Sequence, residues 1–258
     1  MFENNSNSIA LWACPRSRST LLARSFEQRA DCLIFDEPFY AAYLLTNGFN
    51  NALREVMMAE LEVDYRQVIA SLKRDLPPNK KFSFQKHHPK NILPHFGTSW
   101  LPSNHIFLLR HPKEIILSYR QCVDGPITTD DIALETLYHF FRKINSVNRT
   151  TFLVINSDDL LRNPEQVLRK ICDTFNIPFL KSMLSWEKGL KNSRLMFTEN
   201  LLPYADRWYG SVKNSSGFKP HHKKKVDLPD ELQHLFESCM VYYQKLLPFC
   251  VNFTSTKK

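Results

Sequence analysis

Short apolar runs alternate with longer segments of helical periodicity along most of the chain. The apolar runs occupy residues 9–13, 32–35, 82–85, 105–109 and 151–155. In the segments between them and near the end of the chain, apolar residues recur every three to four positions, as on one face of an amphipathic helix. These segments include 51–75, 132–148 and 229–247. Strands that alternate with helices in this way predict an α/β fold with three α/β/α layers around a central parallel sheet.

Charged and hydroxyl-bearing residues follow four of the five apolar runs directly. They are residues 16–20, Asp36 and Glu37, residues 86–88, and Arg110. In parallel α/β sheets, ligands bind outside the carboxyl ends of the strands, where such residues would meet. The sequence therefore predicts an active site at this edge of the sheet.

Composition and charge narrow the class of protein. Of the 258 residues, 43% are hydrophobic, which is enough for a single packed domain over 1–258. The formal net charge of +8 predicts a surface or cleft that attracts anions. The N-terminal segment lacks the basic start of a signal peptide, and no stretch approaches the roughly 18 apolar residues of a membrane span. We therefore expect a cytoplasmic protein without a membrane partner, with its six cysteines as reduced thiols.

The first apolar run leads into the hexapeptide PRSRST at residues 15–20. Between a strand and a helix N-terminus, its backbone N–H groups, hydroxyls and guanidinium groups could hold a phosphate or sulfate. The residues concerned are Arg16, Ser17, Arg18, Ser19 and Thr20. The alternative is an ordinary helix N-cap with solvated arginines. The glycines and the Lys-Ser/Thr pair of a Walker A motif are missing, which argues against a nucleotide-hydrolysing enzyme.

This hexapeptide resembles the loop that holds the 5′-phosphosulfate in sulfotransferases dependent on PAPS (3′-phosphoadenosine-5′-phosphosulfate). The family pattern is Pro-Lys/Arg-Ser-Gly-Thr/Ser-Thr. Arg16 stands in the basic position, Ser19 and Thr20 form the hydroxyl pair, and Arg18 replaces the usual glycine. The resemblance implies a P-loop-like sulfotransferase fold, PAPS as the donor and PAP (3′-phosphoadenosine-5′-phosphate) as the product.

A second motif lies after the fourth apolar run. Arg110 is followed eight residues later by Ser118, with Pro112 suited to the first turn of the helix between them. The motif is similar to the family's 3′-phosphate site, in which an arginine fork and a hydroxyl hold the phosphate. Taken by itself, Arg110 could equally belong to a structural salt bridge.

Two later segments extend the resemblance to about residues 8–220. Residues 157–164 resemble the family's Tyr-Glu-Asp-Leu…Pro segment, and residues 208–218 resemble the late loop that closes over the adenine and the 3′-phosphate. The resemblance implies that 203–222 is a long donor-covering loop and that 45–80 is a helical insertion on the acceptor side. The donor-binding residues of the late loop would be Lys213, Ser215, Ser216 and Gly217.

Sulfuryl transfer to a hydroxyl requires a base, and two strand ends offer one. Glu37 is the first choice, because several sulfotransferase branches place a catalytic Glu in this neighbourhood. His88 is the second, ahead of His87, because strand alternation puts Lys86 and His88 on the same side. Lys86 and Arg16 would stabilise charge on the bridging oxygen of the donor.

The resemblance implies a small-molecule acceptor with a hydroxyl or an amine, as in bacterial enzymes that tailor natural products, including saxitoxin-type guanidinium alkaloids. Two other classes compete: a P-loop kinase, and a basic nucleic-acid-binding module. The missing Walker A motif argues against the kinase, and the scattered basic residues argue against nucleic acid as a partner. No ligand spacing such as HExxH occurs, so we expect no metal. The sequence leaves the oligomeric state open.

Overall fold

Five strands form one parallel sheet in the computed structural model, which describes residues 8–47, 52–93, 97–190, 193, 195, 200–201, 205–219 and 227–253. The sheet has the order β2-β3-β1-β4-β5. Its strands are β1 (Ser8–Ala13), β2 (Cys32–Asp36), β3 (Phe82–His87), β4 (Asn104–Leu109) and β5 (Thr151–Asn156). Each predicted apolar run lies within one of these strands, and the parallel α/β fold is confirmed.

The helices fall between the strands and after the last one. They are α1 (Ser19–Glu27), α2 (Tyr40–Asn47), α3 (Ala52–Glu60), α4 (Tyr65–Lys73), α5 (Pro112–Arg120), α6 (Thr129–Ile132), α7 (Leu134–Asn145), α8 (Ser157–Arg162), α9 (Pro164–Thr174), α10 (Ala205–Lys213) and α11 (Gln233–Leu246). The predicted helix over 51–75 is two helices, α3 and α4. The start of the predicted helix over 132–148 is interrupted at Ala133, which has a left-handed backbone between α6 and α7.

Alternation along the strands produces the two helical layers. Trp12 of β1 and Phe107 of β4 belong to the core that packs against α7 and α11. Leu11 and Ile106, one position earlier on the same strands, belong to the core that packs against α1 and α9. The sheet is therefore covered on both faces, which explains why β1, β2, β4 and β5 carry consecutive apolar residues. In β3, Phe82 and Phe84 alternate with the buried polar residues Ser83 and Gln85.

The strand order reverses at β1, which lies between β3 and β4. The chain passes from β1 to β2 and β3 on one side, and then to β4 and β5 on the other. A crevice forms at such a switch point beside the carboxyl ends of the strands. The fold thus positions the ends of β1, β3 and β4 around one opening, at the edge where the sequence predicted an active site.

The prediction of a loop over 203–222 is wrong for its central part, which forms the helix α10. Residues 203–204 and 220–222 lie outside the described residues. The helix was missed because it has few apolar residues and contains a glycine. Trp208 packs its ring against Tyr119 of α5 at a centroid distance of 5.6 Å, and Trp208 and Val212, four residues apart, both face the cavity described below. No helix in the described part of the chain is both long and apolar enough to cross a membrane.

Candidate active site

A cavity of about 1100 Å³ opens at the carboxyl ends of β1, β3 and β4. Its walls come from the loop after β1, the strand ends, and helices α1, α2, α5 and α10. Hydrogen bonds and electrostatic neighbours divide the lining side chains into two groups. The arginine group contains Arg16, Arg18, Arg110, Ser118 and Trp208, and the tyrosine group contains Glu37, Tyr40, Tyr43, His88, Lys90 and Asp131.

The loop after β1 takes an uncommon backbone conformation. Arg16 and Arg18 have left-handed φ values of 61° and 71°. These turns bring the chain directly into α1, whose first two residues, Ser19 and Thr20, line the cavity. The first N–H groups of a helix have no acceptor within it and carry a partial positive charge. The cavity wall is therefore suited to an anion at this point.

Ser17 has a different role from the one predicted for its side chain. Its residue is fully buried, and its hydroxyl donates to the backbone carbonyl of Cys14. The Ser17 N–H also bonds that carbonyl, at 3.3 Å. Its side chain therefore stabilises the turn and is directed away from the cavity, because the loop reverses direction at this residue.

Arg16 connects three segments that are far apart in sequence. Its Nε donates to the Ser118 hydroxyl at 3.0 Å, and its Nη1 donates to the backbone carbonyl of Trp208. Arg110 donates in turn to the backbone carbonyl of Arg16. The structure therefore brings the predicted loop, the predicted Arg110 and Ser118 pair, and α10 together, although Arg110 and Ser118 do not bond each other directly.

Glu114 accepts hydrogen bonds from the guanidinium groups of two members of the arginine group. Its Oε2 accepts from Arg18 Nη2 and from Arg110 Nε, both at 3.0 Å. Arg18 also donates to the Asp158 carboxylate at 2.7 Å and to the Ser157 hydroxyl at 3.0 Å. Burial and the neighbouring charge of Arg18 lower the pKa of Arg110 to about 10, so its guanidinium is still charged at neutral pH.

A buried cluster of four charged groups lies at the ends of β2 and β3. Glu37 Oε1 accepts from Lys86 Nζ at 2.6 Å and from His88 Nε2 at 3.0 Å. Lys86 Nζ also donates to Asp36 Oδ1 at 2.8 Å. Burial alone would raise the pKa of Glu37, but the positive charges of His88 and Lys86 outweigh it and hold the pKa well below its usual range.

The hydrogen bonds of Glu37 use one of its two carboxylate oxygens, whereas those of His88 involve both ring nitrogens. His88 Nδ1 lies 2.6 Å from the carbonyl oxygen of Ala13, while its Nε2 faces the Glu37 carboxylate. Both ring nitrogens of His88 therefore face acceptor oxygens within the protein. Both contacts of Glu37 use Oε1, and within the described part of the chain Oε2 has no bonded partner. Oε2 is therefore the oxygen of this cluster that can accept a proton from a bound molecule.

His87 lies on the other face of the sheet and does not belong to the cavity. Its ring stacks on Trp12 at a centroid distance of 4.6 Å and packs near Phe39 and Trp100. Burial, together with the charges of His105 and His88, lowers its pKa to about 3. The alternation argument that favoured His88 over His87 agrees with this arrangement, in which His88 is among the residues that line the cavity and His87 is not.

The late segment supplies fewer cavity residues than the sequence predicted. Ser215 lines the cavity, donating its hydroxyl to the Val212 carbonyl and accepting from Trp186 Nε1 at 3.0 Å. Lys213, by contrast, is paired with Asp206 at 2.6 Å, with 41% of its side chain exposed. Lys213 is on the outer side of α10 because a helix directs only some of its residues towards the cavity.

The backbone near Gly217 explains the glycine there. Gly217 has φ 151° and pairs with Ser185 in an isolated antiparallel bridge. A Cβ atom on it would lie 2.7 Å from the carbonyl oxygen of Leu184. The glycine is thus required by a close contact between two chain segments, whereas the sequence suggested close approach to a ligand. The Ser216 carbonyl accepts from Trp186 N–H in the same pairing, at 3.3 Å.

Several cavity residues were not found from the sequence. They are Tyr40, Tyr43, Met57, Lys90, Tyr119, Asp131, Trp208 and Tyr209. They come from separate helices and turns and share no motif. Lys90 could have been noticed, because it lies only two residues after His88. Of the predicted acceptor-side insertion over 45–80, Met57 of α3 reaches the cavity. In the described residues, no three His, Cys, Asp or Glu side chains are arranged to hold a metal.

Comparison with known proteins gives a consistent match over nearly the whole chain. A family model described as "Sulfotransferase domain" matches residues 7–247. Among solved structures, the sulfotransferase domain from the curacin biosynthetic pathway is similar with a TM-score of 0.52 and 17% identity, covering 91% of this chain and 97% of that domain. A sulfotransferase from Alicyclobacillus acidocaldarius is similar with a TM-score of 0.54 and 12% identity, covering 94% and 96% of the two chains. At these identities the two structures establish a shared fold.

Two curated relatives come from Arabidopsis thaliana. They are called branched-chain-amino-acid aminotransferase-like proteins 2 and 1, and each is 32% identical over 92% of this chain. The chain spans only 41% of the length of either relative. The aminotransferase in their names therefore describes much longer proteins, of which this chain matches a part.

Proposed function

The chain belongs to the sulfotransferase domain family, and we propose that it transfers a sulfuryl group from PAPS to a hydroxyl or amine of a small-molecule acceptor, with release of PAP. The observation that carries the proposal is the arginine group. Arg16 and Arg110, together with Ser118 and the N-terminus of α1, converge on one wall of the cavity. Such a set of donors suits a ligand with two separate anionic groups, such as the 5′-phosphosulfate and the 3′-phosphate of PAPS.

In the proposed orientation of the donor, its two anionic ends contact different parts of this wall. The 5′-phosphosulfate would lie against the backbone of residues 16–20 and the hydroxyls of Ser19 and Thr20. The 3′-phosphate would lie against Arg110 and Ser118, while Ser215, Gly217 and α10 cover the nucleotide. Because Glu114 already bonds Arg110 and Arg18, donor binding would exchange part of these contacts for contacts with phosphate.

The reaction needs a base on the opposite side of the sulfur atom from the leaving oxygen. Glu37 is the proposed base: its carboxylate is ionised, and Oε2 can accept the proton of an acceptor hydroxyl. His88 stays the second candidate for this role, but both of its ring nitrogens face acceptor oxygens within the protein. The acceptor oxygen forms a bond to sulfur while the bond from sulfur to the bridging oxygen breaks, and PAP leaves with the electron pair. Arg16, which lines the cavity, is proposed to stabilise the charge on that bridging oxygen. Lys86, also predicted for this role, is buried and bonded to Asp36 and Glu37, so its proposed effect is exerted through Glu37.

Ligand-dependent melting tests the donor assignment. PAP should raise the melting temperature more than ATP or a DNA duplex at equal concentration, since a ligand that binds the native state stabilises it by mass action. PAPS turnover against a panel of alcohols, phenols and amines, followed by mass spectrometry, then tests the reaction. Stronger stabilisation by ATP would favour a kinase, and stronger stabilisation by DNA would favour a nucleic-acid-binding module.

A further inference from the structure

Lys90 is a cavity lysine with no bonded partner among the described residues. It lies in the 3-10 turn Pro89–Asn91, shortly after β3, and belongs to the tyrosine group of residues that line the cavity. The turn is held by hydrogen bonds from Asn91 N–H to His88 and from Ile92 N–H to Pro89. The backbone at Lys90 is thus fixed, while no described side chain or carbonyl bonds its ammonium group.

The acidic groups that could neutralise Lys90 within the cavity have other partners. Glu37 is bonded to Lys86 and His88. Asp131 accepts from the Thr128 backbone N–H and hydroxyl through Oδ2, and from the Tyr119 hydroxyl at 3.2 Å through Oδ1. Burial lowers the pKa of the Lys90 ammonium, and the charges of Asp131 and Glu37 offset this only partly.

A partly buried ammonium is stabilised when an anion bonds to it. Since the cavity carboxylates near Lys90 are already hydrogen-bonded, the group that completes this site would come from a ligand. On the proposed function, the donor phosphates lie against the arginine group, so the tyrosine group is left for the acceptor. Tyr40, Tyr43 and Met57 give this part of the cavity an aromatic and apolar wall.

We propose that Lys90 is a specificity-determining residue that binds an anionic group of the acceptor, most simply a carboxylate. This inference rests on the proposed function and adds the acceptor class to it. The acceptor would present its hydroxyl or amine to Glu37 Oε2 while its carboxylate bonds Lys90. A cationic acceptor, such as a guanidinium alkaloid, would place its charge against the unpaired ammonium.

Three probe acceptors that share a phenol test the proposal: 4-hydroxyphenylacetate, 4-hydroxyphenylacetamide and tyramine, which carry a carboxylate, a neutral amide and an ammonium. The wild-type enzyme should prefer the carboxylate over the amide by at least about tenfold in kcat/KM, as expected for a hydrogen bond between charged groups. Lys90→Met should lower kcat/KM for the carboxylate probe to the value for the amide probe. Lys90→Glu should shift the preference to tyramine. Lys73→Met, which removes an exposed lysine of α4, is the matched control and should retain the wild-type preference.

Calorimetry on the PAP-bound enzyme measures acceptor binding separately from donor binding and from turnover, because PAP has no sulfuryl group to transfer. The carboxylate probe should bind the PAP complex of the wild type and bind that of Lys90→Met at least about tenfold more weakly. Three results would overturn the proposal: no binding of the carboxylate probe to the wild-type complex, a preference for tyramine, or an equal loss for all three probes in Lys90→Met. The last would mean that Lys90 contacts the transferred sulfuryl group. Failure of PAP itself to bind would instead refute the proposed function.

Discussion

Replacement of His87 by phenylalanine should make the protein less sensitive to acid. His87 is packed between the rings of Trp12, Phe39 and Trp100, where it is held neutral. Its pKa falls from an ordinary value of 6.5 to about 3, chiefly because burial disfavours the charged ring. Between these two pH values the unfolded chain binds a proton at this residue and the folded chain does not.

The magnitude follows from linkage between protonation and folding. A histidine with a lowered folded-state pKa contributes its full stability above pH 6.5, and this stability is lost as the pH falls. The loss is about 1.4 kcal/mol for each pH unit below 6.5, until the folded pKa is reached. From pH 8 to pH 5, His87 alone should therefore cost wild-type folding about 2 kcal/mol, whereas a phenylalanine side chain, which does not titrate, would contribute nothing.

Urea unfolding at pH 8, 7, 6 and 5 measures this difference. The His87→Phe variant should lose about 2 kcal/mol less stability than the wild type over this range, whatever its stability at pH 8. His105, whose pKa is lowered to about 4 mainly by burial, titrates in both proteins and cancels from the comparison. His139→Gln, at an exposed position on α7, is the control and should follow the wild-type curve. If the unfolding free energies of wild type and His87→Phe fell by the same amount between pH 8 and pH 5, the reasoning would be refuted.

Three further substitutions test the cavity and its supports. Glu37→Gln should keep PAP affinity but lower kcat by about two to four orders of magnitude, since the proposed base is lost; near-normal turnover would contradict this. Arg110→Ala should weaken PAP binding by roughly 1.5–3 kcal/mol in calorimetry, and unchanged affinity in a folded variant would remove the 3′-phosphate assignment. Gly217→Ala should lower the melting temperature, because its Cβ would meet Leu184, while Gly125→Ala, with no atom within 4 Å, should not.

The sequence predicted the strand ends well because each strand begins as a short, largely apolar run, and charged or hydroxyl-bearing residues follow four of the five runs. Both features are local. Alternation placed Lys86 and His88 on the same side, and in the structure Lys86 of β3 and His88, directly after it, both contact Glu37 Oε1. What the residues do in catalysis stays a prediction.

The rest of the cavity depends on contacts between distant segments, which no local pattern records. Ser17 and Thr20 are both hydroxyl residues of one loop, yet Ser17 is directed inward and Thr20 lines the cavity. Lys213 and Ser215 are only two residues apart, yet Lys213, at the end of α10, pairs with Asp206, and Ser215, after the helix, lines the cavity. The position of Lys90, two residues after His88, is visible in the sequence, but its lack of a bonded partner among the described residues is apparent only when the partners of Glu37 and Asp131 are known.

Backbone strain in the described residues is concentrated at the cavity. Six non-glycine residues of the described chain have positive φ, and three of them, Arg16, Arg18 and Glu37, line the cavity. Each costs roughly 1–2 kcal/mol relative to an ordinary conformation. Glycine would avoid that cost, as in the family pattern at the position of Arg18. The arginine instead bonds two carboxylates, of Glu114 and Asp158, with only 11% of its side chain exposed. These bonds offset the strain and connect the loop to α5 and α8, so the wall to which we propose the donor binds is held in place by contacts within the protein.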